Sequence, residues 1–161
     1  KSDAARLPSR PVPAPISDLA MSCLLPFEPV AFEAGVVLHG EIMPDLSVKG
    51  DEGQLRRLIL ILLDNAVKYA GEGGSVNLTL SRHQDKVRMT VHNTGNPIPP
   101  EHLSHLFERF YRADPSRERT QGGYGLGLAI AKSIVDAHRG KITVTSTAQA
   151  GTTFTVLLPQ K

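Results

Sequence analysis

Net charge is nearly missing from this sequence: 18 Lys and Arg against 16 Asp and Glu leave a formal +2 across 161 residues. So small an excess provides no electrostatic footprint for nucleic acid or an anionic membrane surface, and no nucleic-acid partner is expected. Cysteine is nearly missing as well. The lone Cys23 excludes an internal disulfide framework, fits a reducing compartment and reads as a buried small hydrophobe. No apolar run approaches the roughly 18 residues of a membrane span. The most hydrophobic stretch, Leu58 to Leu63, runs straight into Asp64 and Asn65. An initiating methionine and a signal-peptide pattern are also missing, so Lys1 reads as the start of a piece of a longer chain. There is no internal repeat.

What is present is the composition of one globular domain, 40% hydrophobic and 21% charged. Residues 1–15 carry Pro8, Pro11, Pro13 and Pro15 among Ser, Arg and Ala and read as an interdomain linker, leaving 16–161 as the folded domain. A helix capped by Ser17 or Asp18 is expected towards Glu33, with Pro26 and Pro29 signalling a kink or a late start and Gly35 a stop. Strands follow at Val36–Ile42 and Leu46–Val48, and Asp51 is placed to cap the next helix. In that helix Leu55, Leu58, Ile59, Leu62, Leu63, Ala66 and Val67 recur at helical spacing, so one wide face is buried. Alternating runs at Ser75–Ser81 and Lys86–Val91 predict an antiparallel hairpin. A long irregular stretch from Asn93 to Gly125, with a short helix near Glu101 to Phe110, has the length of a functional loop. The helix Leu126–His138 and strands Lys141–Ser146 and Thr152–Leu158 close the domain. The fold class is α+β: a two-layer α/β sandwich with a mixed, largely antiparallel sheet and about three helices packed on one face.

Chemistry concentrates in three places. Asn65 and Lys68 lie three apart on the long helix and project from one side, with Ile61 one turn earlier on the same stripe. An amide among leucines costs about 1–3 kcal/mol if unpaired, so Asn65 either bonds nearby backbone or offers its oxygen as a hard ligand for Mg²⁺. Lys68 is either a solvated helix end or a point charge for phosphate, and Tyr69 either stacks on a ring or packs. Gly122, Gly123, Gly125 and Gly127 precede a helix, which makes either a hinge or a close backbone approach to an anion at a helix N-terminus. Asn93-Thr94-Gly95 is an ordinary turn sequence, or it presents an amide to the edge of adenine. Arg109, Arg112, Arg117 and Arg119 are available to polyphosphate, although Glu108, Asp114 and Glu118 balance three of the four.

Taken together, these segments resemble the nucleotide-binding domain shared by gyrase B, Hsp90, histidine kinases and MutL, and within it the catalytic domain of bacterial two-component sensor histidine kinases. Leu62-Leu63-Asp64-Asn65-Ala66-Val67-Lys68-Tyr69 resembles the family's N box, Phe107-Glu108-Arg109-Phe110-Tyr111-Arg112 its F box, and Gly123-Tyr124-Gly125-Leu126-Gly127-Leu128 its second glycine box. The resemblance implies a Bergerat-type sandwich holding ATP and Mg²⁺ under a lid over residues 96–124. It implies catalytic roles for Asn65 and Lys68, with Asn65 on the metal. Nucleotide contacts are implied for Asn65, Lys68, Tyr69, Asn93, Gly95, Ile98, Arg109, Arg112, Gly123, Gly125, Leu126, Gly127 and Thr152. Thr152 would help hold the adenine-contacting side chain.

Two departures stand out. Asn93-Thr94-Gly95-Asn96-Pro97 replaces the family's Asp-x-Gly-x-Gly, so a neutral amide stands where a carboxylate reads adenine, with reduced affinity or selectivity expected. Ile61 stands where ATP-hydrolysing relatives place a water-activating glutamate, and isoleucine takes no proton.

The implied function is transfer of the ATP γ-phosphoryl group to a histidine on a separate dimerisation domain, upstream of a response regulator. None of His39, His83, His92, His102, His105 and His138 has the following acidic residue and Thr or Asn of a phosphoacceptor, so no self-labelling is expected. The parent is expected to be a membrane-anchored homodimer and this part a monomeric cytoplasmic domain. An anti-sigma-factor-type serine kinase and a non-catalytic ATP sensor are the alternatives.

Overall fold

The computed structural model of the chain describes residues 12–108 and 127–160. Among them the elements run β1 (Val12–Ala14), α1 (Ile16–Glu33), β2 (Val37–Ile42), β3 (Val48–Gly50), α2 (Glu52–Ala70), β4 (Ser75–His83), β5 (Lys86–Asn93), α3 (Pro100–Leu103), α4 (Gly127–Ala137), β6 (Lys141–Thr147) and β7 (Gly151–Pro159). Five strands form one mixed sheet in the order β2-β4-β5-β7-β6. Strands β2 and β4 are parallel and the other neighbours antiparallel. Helix α2 lies on β4 and β5, α1 on β2 and α4 on β6, while α1 and α4 both pack against α2. The result is the expected two-layer sandwich, and alternation along the strands explains it. Val76, Leu78, Leu80, Val87, Met89, Val91, Phe154, Val156 and Leu158 are buried towards the helices. On the opposite face Thr79, Thr90, Thr155 and Thr143 stand in one cross-strand row.

The first segment differs from its sequence reading. Val12–Ala14, taken as linker, pairs antiparallel with β3, and Ala14 is buried. A three-residue edge strand carrying proline leaves no hydrophobic period to detect. Helix α1 starts at Ile16 after Pro15, with no side-chain cap. Ser17 is therefore not a cap. Its buried hydroxyl donates to the Met43 carbonyl at 2.6 Å and accepts from the Leu46 amide at 2.9 Å, tying the first turn to the β2–β3 connection. Pro26 and Pro29 sit inside a continuous helix. The carbonyls that lose their usual i+4 donor, at Ser22 and Leu25, belong to exposed residues that water can reach.

Helix α2 follows its sequence signals closely. Asp51 caps it by accepting from the Gln54 amide at 2.9 Å, and every apolar position of the periodic stripe is buried. Cys23 is buried against the Arg56 carbonyl, and burial pushes its thiol pKa above the usual value despite the opposing Arg56 charge. Burial and the raised pKa both disfavour the thiolate form.

One imidazole joins the end of α4 to the start of α2. His138 Nδ1 lies 2.8 Å from the Ile134 carbonyl, and Nε2 accepts from the Asp51 amide at 3.1 Å. These two partners fix the neutral tautomer with its proton on Nδ1. Replacing His138 with alanine leaves the half-buried Asp51 amide without its acceptor and removes a buried ring, so urea unfolding should show a loss of about 1–3 kcal/mol; an unchanged midpoint would remove the joint from the account.

Candidate functional site

Strand register builds the floor of the site. Asn93 is the cross-strand partner of Thr152, and Thr152 is the partner of Ser146, so three polar residues form one row across β5, β7 and β6. The next row on that face, Val91, Phe154 and Val144, is apolar. Asn93 and Thr152 are only 2% and 3% exposed. Buried polar side chains at the end of an apolar face need partners. Asn93 Nδ2 donates to the Thr94 carbonyl at 2.7 Å, which turns the nitrogen towards backbone and leaves Oδ1 as the acceptor end of the amide. Thr152 Oγ1 and Ser146 Oγ lie 2.7 Å apart. Thr152 thus sits beside Asn93 by register while its hydroxyl is partnered by Ser146, a residue the motif reading did not select. The clue was strand parity, because Ser146 shares the inward face of β6 with Ile142 and Val144.

The turn after β5 is held against α2. Gly95 has φ +126°, and a Cβ there would lie 2.5 Å from the Tyr69 carbonyl oxygen. Only glycine permits that approach. The Thr94 amide donates to the Ser75 carbonyl at 3.1 Å, and its hydroxyl accepts from the Ser75 amide at 3.0 Å. Asn93, Gly95 and Tyr69 therefore meet where the C-terminus of α2 reaches the sheet.

Asn65 and Tyr69 are half-buried, so the environment of Asn65 is less apolar than its leucine neighbours suggest. One turn before Asn65 on the same stripe, Ile61 lies beside Gly127, 3.6 Å from where its Cβ would stand. The stripe bearing Asn65 thus runs along the start of α4. Lys68 pairs with Asp64 at 3.1 Å, with both side chains partly exposed. Such a pair contributes well under about 1 kcal/mol, and its ammonium readily exchanges one anion for another. Arg109, Arg112, Gly123, Gly125 and Leu126 lie outside the described residues, as does part of the 96–124 lid. Phe107, the first residue of the F-box segment, sets its ring edge-on against Phe154 with centroids 6.1 Å apart.

Among the described residues no three His, Cys, Asp or Glu side chains converge as a metal cage. Half-buried Asn65 offers one amide oxygen, a donor of the kind that a hard cation accepts beside water and phosphate oxygens.

Residues 50–161 match the family model described as histidine kinase-, DNA gyrase B-, and HSP90-like ATPase. The chain belongs to this ATPase family. Its sequence is 45% identical over 135 residues to the sensor histidine kinase CusS of Escherichia coli O157:H7, covering 84% of this chain and 28% of that protein. The chain thus spans little more than a quarter of that relative's length. Its fold matches the catalytic domain of the histidine kinase ThkA with a TM-score of 0.82 and 27% identity, over 94% of this chain and 96% of that one. ThkA is also solved in complex with the response regulator protein TrrA, with a TM-score of 0.77 and 26% identity over 93% of this chain and 42% of that one. Full-length ShkA, solved with AMPPNP, matches with a TM-score of 0.79 and 30% identity, over 96% of this chain and 32% of that one. This is an ATP-binding ATPase domain of the histidine-kinase type, and no helix among its described residues is long and apolar enough to cross a membrane.

Substituting Gly95 with alanine tests how closely the ATPase turn approaches α2. A Cβ at that φ and distance should destabilise the domain by more than about 1 kcal/mol and weaken ATP binding; calorimetry showing wild-type affinity and melting would contradict it.

Proposed function

We propose that the domain binds ATP with Mg²⁺ and positions the γ-phosphoryl group for in-line transfer to a histidine on a separate helical domain of the same parent, from which a response regulator then takes it. One observation carries the reading: the polar row Asn93–Thr152–Ser146 ends the sheet beside the Asn65–Tyr69 turn of α2, whose stripe also borders the start of α4. A base and a polyphosphate need those two environments side by side.

In this reading Asn93 Oδ1 accepts from the adenine amino group, and Gly95 and Ile98 line the base. Tyr69 packs beside them, and Thr152 steadies Asn93. Lys68 exchanges Asp64 for a phosphate oxygen. The glycine box of Gly123, Gly125, Leu126 and Gly127, which leads into α4, offers backbone N–H groups to the phosphates, and Arg109 and Arg112 add charge. Asn65 holds one position on the Mg²⁺, which when bound neutralises charge on the phosphates. Catalysis by the protein is then positioning and charge stabilisation. Ile61 at the α4 contact supplies no base to activate water, which directs the phosphoryl group to a partner side chain. Relatives named as sensor histidine kinases support a sensor-kinase parent; in this reading it is anchored in the bacterial plasma membrane as a homodimer, and this part is a monomeric cytoplasmic domain.

A second reading, a nucleotide sensor without transfer activity, is favoured by Asn93 and Pro97, where the family pattern has Asp and Gly. The two separate when a helical hairpin bearing the phosphoacceptor is supplied: phosphohistidine forms on it only in the first. Asn65→Ala should abolish Mg²⁺-dependent ATP binding in calorimetry, and intact magnesium-dependent binding would sink the site. Incubated alone with γ-labelled ATP, the chain should acquire no phosphohistidine, and stoichiometric labelling would overturn the assignment of the acceptor to another domain.

A further inference from the structure

Pro97, Pro99 and Pro100 have no backbone N–H, so between Asn96 and Glu101 the only main-chain donor is that of Ile98. That donor goes to one acceptor. The Ile98 amide lies 2.7 Å from Ser146 Oγ, a hydroxyl 48 residues further along the chain on β6. The same oxygen is 2.7 Å from Thr152 Oγ1, and Thr152 is the cross-strand partner of Asn93. A serine hydroxyl accepts on its lone pairs and has one proton to share, so Ser146 can hold both partners at once. A hydrogen-bonded chain therefore runs from the segment leaving β5, through β6, to the strand beside Asn93.

We propose that Ser146 is a positioning residue for the base-binding wall of the nucleotide site, fixing the Pro97–Pro100 segment and Ile98 against the Asn93–Thr152 row. This rests on the nucleotide reading of that row. Apolar contact holds Ile98 to the core only loosely, since its side chain is partly buried. Contact of that kind is non-directional and tolerates sliding, whereas the hydrogen bond sets distance and orientation. A proline-flanked segment also has no second donor with which to re-anchor nearby. Without the Ser146 hydroxyl the wall loses its fixed distance to Asn93, and the adenine between them loses its fit. The phosphate side, built from α2 and the start of α4, does not depend on this bond.

The test compares purine selectivity rather than affinity alone, using the whole 161-residue chain. Ser146→Ala should weaken ATP binding about 5–10-fold, the size of one net hydrogen bond, while the weaker binding of GTP, held mainly by its phosphates, stays within twofold or so of wild type. Ile98 amide hydrogen exchange, followed by NMR, should accelerate about tenfold as its protection is lost. Ser146→Thr keeps the hydroxyl on a strand that favours β-branched residues, and it should restore both readouts. Equal loss of ATP and GTP affinity in Ser146→Ala would make Ser146 a structural residue only. Unchanged ATP affinity, or Ile98 exchange unmoved, would overturn the proposal outright. If Asn65→Ala abolishes ATP binding while Ser146→Ala leaves it intact, this inference fails and the nucleotide site stands; if Asn65→Ala binds normally, the underlying reading fails first.

Discussion

The site depends on the register between β5, β7 and β6. Side chains alternate with a period of two, so a one-residue slip at either pairing would carry Asn93, Thr152 or Ser146 to the solvent face and place the wrong neighbour in the row. The register is held by apolar burial farther along the same strands, where Met89, Val156 and Ile142 pair across the core face. Folding energy from the hydrophobic rows thus positions the polar row, and the polar row has no need to stabilise the fold. Beyond it the core continues as Phe154 against Phe107, which brings the start of the F-box segment back onto the sheet.

The helices complete the arrangement from above. Helix α2 carries its apolar stripe into the sheet and its polar stripe, through Asn65 and Lys68, along one edge of the proposed site. Its two ends are fixed differently: Asp51 and His138 hold the first turn, while the carbonyl of Tyr69 is closely approached by Gly95 at the last. Ile61 lies against Gly127, so α4 runs beside the stripe that carries Asn65. An element capped, stapled and packed along its length holds its side chains in narrow orientations, and catalysis by positioning requires that.

Much of this was legible in the residues. Leucine spacing and the Asp51 cap gave α2, because a long amphipathic helix repeats its signal over several turns. Alternation gave the first hairpin and the two closing strands, and the order of the N box, the F box and the second glycine box gave the family. What stayed hidden was non-local. The strand Val12–Ala14 exists through its pairing with Val48–Gly50, and its proline-rich sequence argues for a linker. Parallel pairing of β2 with β4 has no local signature. Ser17 looked like a cap and is instead a bridge to the Met43–Leu46 turn, because Pro15 occupies the capping position. His138 and Ser146 are unremarkable in sequence, and their roles come from Asp51 and Ile98, far away along the chain. The tie between Asn93 and its neighbouring carbonyl could not be read either, yet it gives the substituted amide a defined acceptor end where a carboxylate is expected.

The most direct measurement of the account is an NMR titration of the isotope-labelled domain with ATP and Mg²⁺. The backbone amides of Asn93, Ser146 and Thr152 and the side-chain amide of Asn65 should shift together and fit a single dissociation constant, with Thr79, Thr90 and Thr155 on the opposite face unmoved. Shifts concentrated on that threonine face, or an Asn65 signal that stays still while the row responds, would contradict a single pocket shared by the sheet edge and α2.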